Sequence, residues 1–390
     1  MTPPRRPWQA VRISSSPEQL AELDVTLEAM AAAVGDVPAL LAAAHQAGRF
    51  APKPGEGQTA RLWELLASVA AVDVAAGRIL EPHLDAGAIL SQAGAADSFT
   101  GTWGVFAAEA PGTRLAAVPQ SGGGQGGGEP GGGGQPGGEQ GGGERGGEVR
   151  LSGSKPWCSL AQFVDHAVVT AHTQSGGRAA FAVDLRDAGV TCVDPEWTSR
   201  GLREIPSGTV HFDRVPAVPL GGDGWYFQRP GFAWGGMGVA ACWLGGAVAL
   251  GRHFKAALIR GAQAQREPDQ VALASLGEVD RILTSSIQHL ARTAELVDGR
   301  VQGRAELPEE PGGSRNSGAW SEALRVRGTV AAAVERVQLL VSQNLGPGPL
   351  AFDERYGKCM ADLSLYVRQH HALRDDAQLG ALTLKGEHEW

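Results

Sequence analysis

A chain of 390 residues, 43% of them hydrophobic, is long enough for two or three domains with ample core. Its formal net charge of −8, with no basic face, argues against a nucleic-acid partner, although a local basic pocket for a phosphorylated ligand is compatible with it. Cys158, Cys192, Cys242 and Cys359 are far apart and show no metal spacing, which fits buried thiols in a reducing cytoplasm and no metal centre. The basic start MTPPRRPW runs into polar SSSPEQ, so no signal peptide is expected. The longest apolar run, near 238–250, is short and glycine-rich, so no membrane span is expected either.

The chain begins with helix. Ser16-Pro17-Glu18 is a helix start, and Leu20, Leu23, Leu27 and Met30 follow at helical spacing. A second short helix is predicted from Pro38 to His45, and a Pro/Gly loop from Gly48 to Gly57. From Thr59 a wide apolar stripe runs through Leu62, Leu65, Leu66, Val69, Val72, Val74 and Leu80. Pro82 should mark a boundary, because proline lacks a donor and clashes with the preceding turn; another helix then runs from His83 to about Gln92. Residues 1–97 read as a helical domain.

Strand texture starts at Ser98, with Phe99 to Phe106 aromatic, β-branched and glycine-punctuated. Residues 121–147 are almost entirely glycine, glutamine and glutamate. They read as a disordered insertion between two strands, and their chance GxGxxG patterns carry no dinucleotide signal. The stretch from Glu148 to Thr173 reads as a hairpin turning at Ser152-Gly153-Ser154, followed by a strand through Val168, Val169 and Thr170. Alternation returns at 180–185 and 190–193. A last strand, with Gly201, Arg203, Phe212 and Val215 in order, is ended by prolines that cannot join the ladder. Beyond Gly221 four long helices are predicted, at 239–260, 271–297, 321–344 and 352–378, joined by Pro/Gly loops.

This order, a helical domain over 1–97, a β-barrel over 98–220 and a four-helix bundle over 221–390, resembles that of the acyl-CoA dehydrogenases. Lys155-Pro156-Trp157-Cys158-Ser159 resembles the family's G-x-K-x-W-x-[ST] stretch. The resemblance implies that Trp157 packs on the isoalloxazine of a bound FAD and that Ser159 bonds its edge. Ala108-Glu109-Ala110-Pro111-Gly112-Thr113 stands where the family carries T-E-P-x-x-G-S-D. It keeps Glu109 as a flavin-loop residue but loses the threonine and the Gly-Ser-Asp ending. Leu345-Gly346-Pro347-Gly348 occupies the place of the family's G-G-x-G turn, which implies Gly346 and Gly348 as further cofactor-binding positions.

The family's catalytic base is commonly a glutamate a turn or two beyond an R-D pair. Here Ala361-Asp362 stands at that pair, and the family's spacing lands on His370, with no glutamate nearby. Histidine titrates near neutrality and can serve as the base. On a continuous helix His370 and His371 would point about 100° apart, so only one could face a flavin. His83 could line the same cavity, although a helix-terminus histidine is the plainer reading. The resemblance implies α,β-dehydrogenation of an acyl thioester, on CoA or a carrier protein, by a cytoplasmic homo-oligomer passing electrons to an acceptor flavoprotein. Two alternatives stay open: a flavin monooxygenase on the same fold fed by a flavin reductase, and a catalytically silent binding subunit.

Overall fold

The computed structural model describes residues 8–15, 20–119, 149–301 and 317–386. Four helices come first: α1 (Leu23–Ala32), α2 (Val37–Gly48), α3 (Thr59–Val72) and α4 (Val74–Gln92). The start signal at 16–18 lies outside the described residues. Asp36 and Asp73 cap α2 and α4, each carboxylate accepting a backbone N–H, from Ala39 and Ala76. The boundary expected at Pro82 is absent. Asp73, in extended conformation, separates α3 from α4, and Pro82 sits inside α4. Much of α4 is buried, so packing outweighs the donor that proline removes.

Seven strands follow: β1 (Trp103–Phe106), β2 (Leu115–Pro119), β3 (Val149–Ser159), β4 (His166–His172), β5 (Arg178–Asp184), β6 (Val190–Cys192) and β7 (Ser207–Leu220). The pairings β4–β2, β2–β3, β3–β7, β7–β5 and β5–β4 close a ring, with β1 added on β4 and β6 on β7. The sheet is therefore a closed barrel filled by Leu115, Leu151, Val169, Phe181, Val183, Phe212 and Val215. Its outer face at Val168, Ala180 and Leu220 packs under Ala86, Ile89 and Leu90 of α4.

Two sequence expectations change here. Ser152-Gly153-Ser154 is no hairpin turn: β3 runs straight through it, with a register shift against β7 between Leu151 and Gly153. Gly153 has φ +118, and a Cβ there would collide with the Arg114 carbonyl, so only glycine fits. Nor do prolines end β7. Pro216 pairs with Arg150 and Pro219 with Phe181, because the strand continues through them to Leu220. The insertion at 121–147 lies outside the described residues, but Pro119 and Val149 on either side of it are a register pair. A short turn would be enough to join a register pair. Replacing 121–147 by one should leave the melting temperature and ligand content unchanged; a large fall in either shows that the segment contributes to the fold or the site.

The remaining helices are α5 (Trp225–Gln228), α6 (Pro230–Gln263), α7 (Gln270–Val301), α8 (Ser317–Leu345), α9 (Pro347–Phe352), α10 (Glu354–Tyr366) and α11 (Leu373–Leu384). Helix α6 is long and apolar enough to cross a membrane, but 83% of its most apolar window is buried inside this fold. It forms the central post. Trp63 of α3 and Trp243 of α6 are both fully buried in one core that joins the first helices to the last.

The fourth long helix expected at 352–378 is broken. After α10 come a single 3-10 turn (Val367–Gln369), His370 in extended conformation and Ala372 at φ +51. Side chains take over the backbone partners at the break: Arg327 Nη2 donates to the Gln369 carbonyl (2.6 Å), and the His371 N–H donates to Asp375 (3.2 Å).

Candidate active site

Trp157 and Ser159 reach the surface of the barrel by a β-bulge. Lys155 pairs with Val210 and Cys158 with Gly208, so β3 carries one residue more than β7 in between. The extra residue places Trp157 at φ +58, a conformation a bulky side chain rarely takes, and leaves its indole 59% exposed. Strain of this kind persists where surrounding structure holds it in place and is concentrated at ligand sites. Two residues on, Ser159 Oγ lies 2.7 Å from Ser207 Oγ and accepts from Arg78 Nη2 at 3.1 Å. An exposed aromatic plane beside an anchored hydroxyl fits a planar, hydrogen-bonding ring such as a flavin. Trp157→Ala should weaken flavin binding by about two- to tenfold, the usual worth of one aromatic pair. An unchanged affinity in a titration of the apoprotein assigns Trp157 to the scaffold instead.

Glu109 lies on the loop between β1 and β2, and cations already hold its carboxylate. Lys155 Nζ donates at 2.7 Å, Arg178 Nη2 at 2.8 Å, and His172 Nε2 stands at 3.4 Å. Partial burial raises its pKa, but the hydrogen bonds and charges of Lys155 and Arg178 outweigh that and hold it below the usual carboxylate range. Lys155 is itself 1% exposed and also donates to Thr170 Oγ1 (2.9 Å). The network pins the loop against the barrel. Gly346 and Gly348 sit elsewhere, Gly346 between α8 and α9 and Gly348 in the first turn of α9, with nothing within 4 Å of where a Cβ would stand.

Behind Ser159 lies a charged interior that sequence reasoning missed. Arg78, Glu81 and Asp85 line one face of α4; Arg78 Nη1 is 3.9 Å from Glu81 Oε2, and its guanidinium lies 5.7 Å from the Tyr366 ring. Burial pushes the Glu81 carboxyl up to about 7, with Arg78 opposing the shift. Burial also raises Asp85, opposed by Arg229. Within charge range of Glu81, Arg327 of α8 stacks 4.9 Å over Trp243 and donates to the carbonyls of Gly236 (3.0 Å) and Gln369 (2.6 Å). The available signal was a set of charges at i, i+3 and i+7 on a helix whose remaining faces are apolar.

His370 follows Gln369 at the far end of this wall. Its side chain is 9% exposed, and Nε2 is buried without a hydrogen-bond partner, 3.8 Å from Asp375 Oδ2. Burial lowers its pKa, with Asp375 working the other way, so the ring is neutral at pH 7. His371 is 66% exposed and bonds Asp375 at 3.2 Å. Both rings lie against Asp375, His370 nearly enclosed and His371 exposed, on a backbone that is broken rather than helical. His370 Nε2 and Trp243 Nε1 are among the buried polar atoms left without a hydrogen-bond partner. His83 is not on this wall. Its Nδ1 accepts from the Trp103 N–H (3.2 Å) and its ring packs 4.8 Å from Phe99, so it braces β1.

One ammonium ties helix α10 to the α3–α4 junction and to the loop before β7. Lys358 Nζ contacts Asp73 (2.9 Å), Glu204 (2.9 Å) and Asp362 (2.6 Å), and Asp362 also accepts from the Leu202 N–H (2.6 Å). Gly201 allows this approach, since a Cβ there would collide with the Ala361 carbonyl. A separate cleft of about 990 Å³ lies between α3, α6 and α10, lined by Trp8, Asp73, Arg252, His253, Arg355 and Tyr356. It contains none of Trp157, Ser159 and His370.

A family model, "Acyl-CoA dehydrogenase, middle domain", matches residues 126–215. No curated protein matches the chain. Among solved structures, TdsC from Paenibacillus sp. A11-2 in complex with FMN and indole is 17% identical, with a TM-score of 0.73 over 93% of this chain and 97% of that one. Nitrososynthase from Micromonospora carbonacea var. africana is 16% identical, with a TM-score of 0.68 over 96% and 99%. KijD3 in complex with FMN and a dTDP-amino-keto sugar is 18% identical, with a TM-score of 0.66 over 95% of each. At these identities the likeness is one of fold. With the barrel between its two sets of helices and the middle-domain match, the chain is a divergent member of the acyl-CoA dehydrogenase fold.

Proposed function

We propose that this protein is a flavin-dependent monooxygenase that acts on a polar substrate and draws reduced flavin from a separate reductase. The observation that carries this reading is the charged wall running from Ser159 to His370. Arg78 bonds Ser159, two residues from the exposed Trp157, and Glu81 and Arg327 stand behind it. An acyl chain placed there would offer these enclosed charges no hydrogen bonds, whereas a hydroxyl- or amine-bearing substrate supplies them. TdsC is described as a dibenzothiophene monooxygenase, and XiaF was solved with FADH2, which supports a reduced flavin, FMN or FAD, as the cofactor.

When bound, the reduced flavin supplies the two electrons that let O2 deliver one oxygen atom to substrate and the other to water. The residues of the chain do the rest. Trp157 offers the stacking plane, and Ser159 offers a hydrogen bond at the ring edge. His370 Nε2, neutral and unpartnered, accepts a proton from the substrate's O–H or N–H. Arg327 holds the Gln369 carbonyl and so fixes the backbone that aims His370.

A second reading, α,β-dehydrogenation of an acyl-CoA or acyl-carrier thioester with FAD and an acceptor flavoprotein, is favoured by the middle-domain match. Exposed Phe352, Leu373 and Leu384 on and beside α9 and α11 support assembly as a homo-oligomer. Four unpaired cysteines suit a cytoplasmic setting. The test is direct. Purified protein is supplied with FMN or FAD, NADH and a flavin reductase, and oxygenated product is sought from a panel of aromatic and amino-sugar compounds. Product formation supports the proposal. Anaerobic bleaching of bound FAD by an acyl-CoA, with no oxygenated product, reverses it in favour of the dehydrogenase; no flavin binding at all leaves a scaffold subunit.

A further inference from the structure

We infer that Arg78 is a positioning residue for the flavin, a fixed cation one hydrogen bond behind Ser159, and that the ionisation of Glu81 sets how strongly its charge acts there. The inference rests on the flavin reading above and deepens it. Its geometry is a short relay: Ser159 Oγ accepts from Arg78 Nη2 at 3.1 Å, and Arg78 Nη1 stands 3.9 Å from Glu81 Oε2. Both charged side chains are nearly enclosed, 14% and 10% exposed, so water screens them little. Arg78 crosses from helix to barrel to make this contact, since Ser159 lies 81 residues away in sequence.

Reduction of a flavin places extra electron density on its ring. A guanidinium bonded to the hydroxyl at the ring's edge favours the reduced form through that hydroxyl. With Glu81 neutral the guanidinium acts on Ser159 alone; with Glu81 ionised, the carboxylate offsets it. The groups facing Glu81 are Arg78 and Asp85 from α4, Tyr226 from α5, Cys242 from α6, Arg327 from α8 and Tyr366 from α10. Of these, Arg78 and Arg327 favour its ionised form and Asp85 opposes it. Its carboxyl titrates at about 7, so the switch lies in the physiological range.

The sign follows. Raising the pH ionises Glu81, weakens the effect of Arg78 at Ser159, and lowers the reduction potential of bound flavin beyond the cofactor's own pH slope. The experiment measures the midpoint potential of FMN on the full-length protein by dye equilibration from pH 6 to 8. Wild type, Arg78→Met, Glu81→Gln and Ser159→Ala are compared, each checked for wild-type melting temperature and circular dichroism. Wild type should show an extra downward step near neutrality. Glu81→Gln should lose the step and hold the higher potential throughout. Arg78→Met should lose the step and sit lower, and Ser159→Ala should behave like Arg78→Met. An infrared carboxyl band, assigned by its absence in Glu81→Gln, gives a reading without flavin: it should persist to higher pH in Arg78→Met. Identical potentials and pH profiles in wild type, Arg78→Met and Glu81→Gln overturn this inference alone. Failure of the wild type to bind flavin overturns the functional reading with it.

Discussion

Replacing His370 with alanine should lower turnover by about 10²- to 10⁴-fold, the usual range for a lost general base, with fold and flavin content unchanged. The side chain is nearly enclosed, its Nε2 has no partner, and the backbone around it is held by Arg327 and Asp375 rather than by the imidazole. His371→Ala should cost far less, because that ring is 66% exposed and already bonded to Asp375. Equal losses from the two substitutions would mean that the break between α10 and α11 had been damaged. The pH dependence carries its own sign. Burial lowers the folded pKa of His370 below its usual 6.5, so the neutral base persists as the pH falls through that value. The acidic limb of the rate profile should therefore lie below pH 6.5, and with His370→Ala whatever rate survives should lose that limb. In stability terms the same shift means that the folded state binds fewer protons than the unfolded chain, so the contribution of His370 falls as the pH drops below 6.5.

Much of the fold was legible because burial writes a period into the sequence. The stripe from Leu62 to Leu80 and the alternation at 180–185 became α3, α4 and β5. The misread points share one cause, that local signals yield to tertiary partners. Pro82 does not break α4, because the helix is buried. Pro216 and Pro219 do not end β7, because a closed barrel offers pairing partners on both of its sides. Conversely 352–378 has an unbroken helical pattern, yet its helix stops at Tyr366, since only the fold reveals that Arg327 and Asp375 will capture the backbone beyond. At the proposed site, Trp157, Ser159 and His370 are named from motif and spacing. Arg78, Glu81 and Arg327 are not, because a charge on a helix reads as solvated until a second helix is known to cover it.

The Lys358 cluster should give the largest stability effect. Lys358→Met keeps the length of the stem but leaves Asp73, Glu204 and Asp362 without their shared ammonium. Breaking a buried ion pair from one side costs about 3–5 kcal/mol, and the variant should unfold at correspondingly lower urea. The partners respond in opposite senses. Burial works against the Lys358 charge, but three carboxylates outweigh it and raise its pKa, whereas Asp362 is pushed up to about 6 by burial despite the ammonium beside it. The shared ammonium does not fully offset the burial of Asp362. The raised Lys358 contributes stability at every pH below its unfolded pKa and loses it only as the pH rises through its folded value, so wild type should keep this contribution across the neutral range. In Lys358→Met, Asp362 loses its attraction and its pKa climbs further. Protonation then relieves the unpaired charge, and the deficit against wild type should shrink from pH 8 to pH 5. The same clamp docks α10, which leads into the break before His370, on the 201–204 loop. Flavin affinity should fall with stability in this variant. A Lys358→Met protein with wild-type urea midpoint at pH 8 would show that the cluster is solvated and that other contacts fix α10.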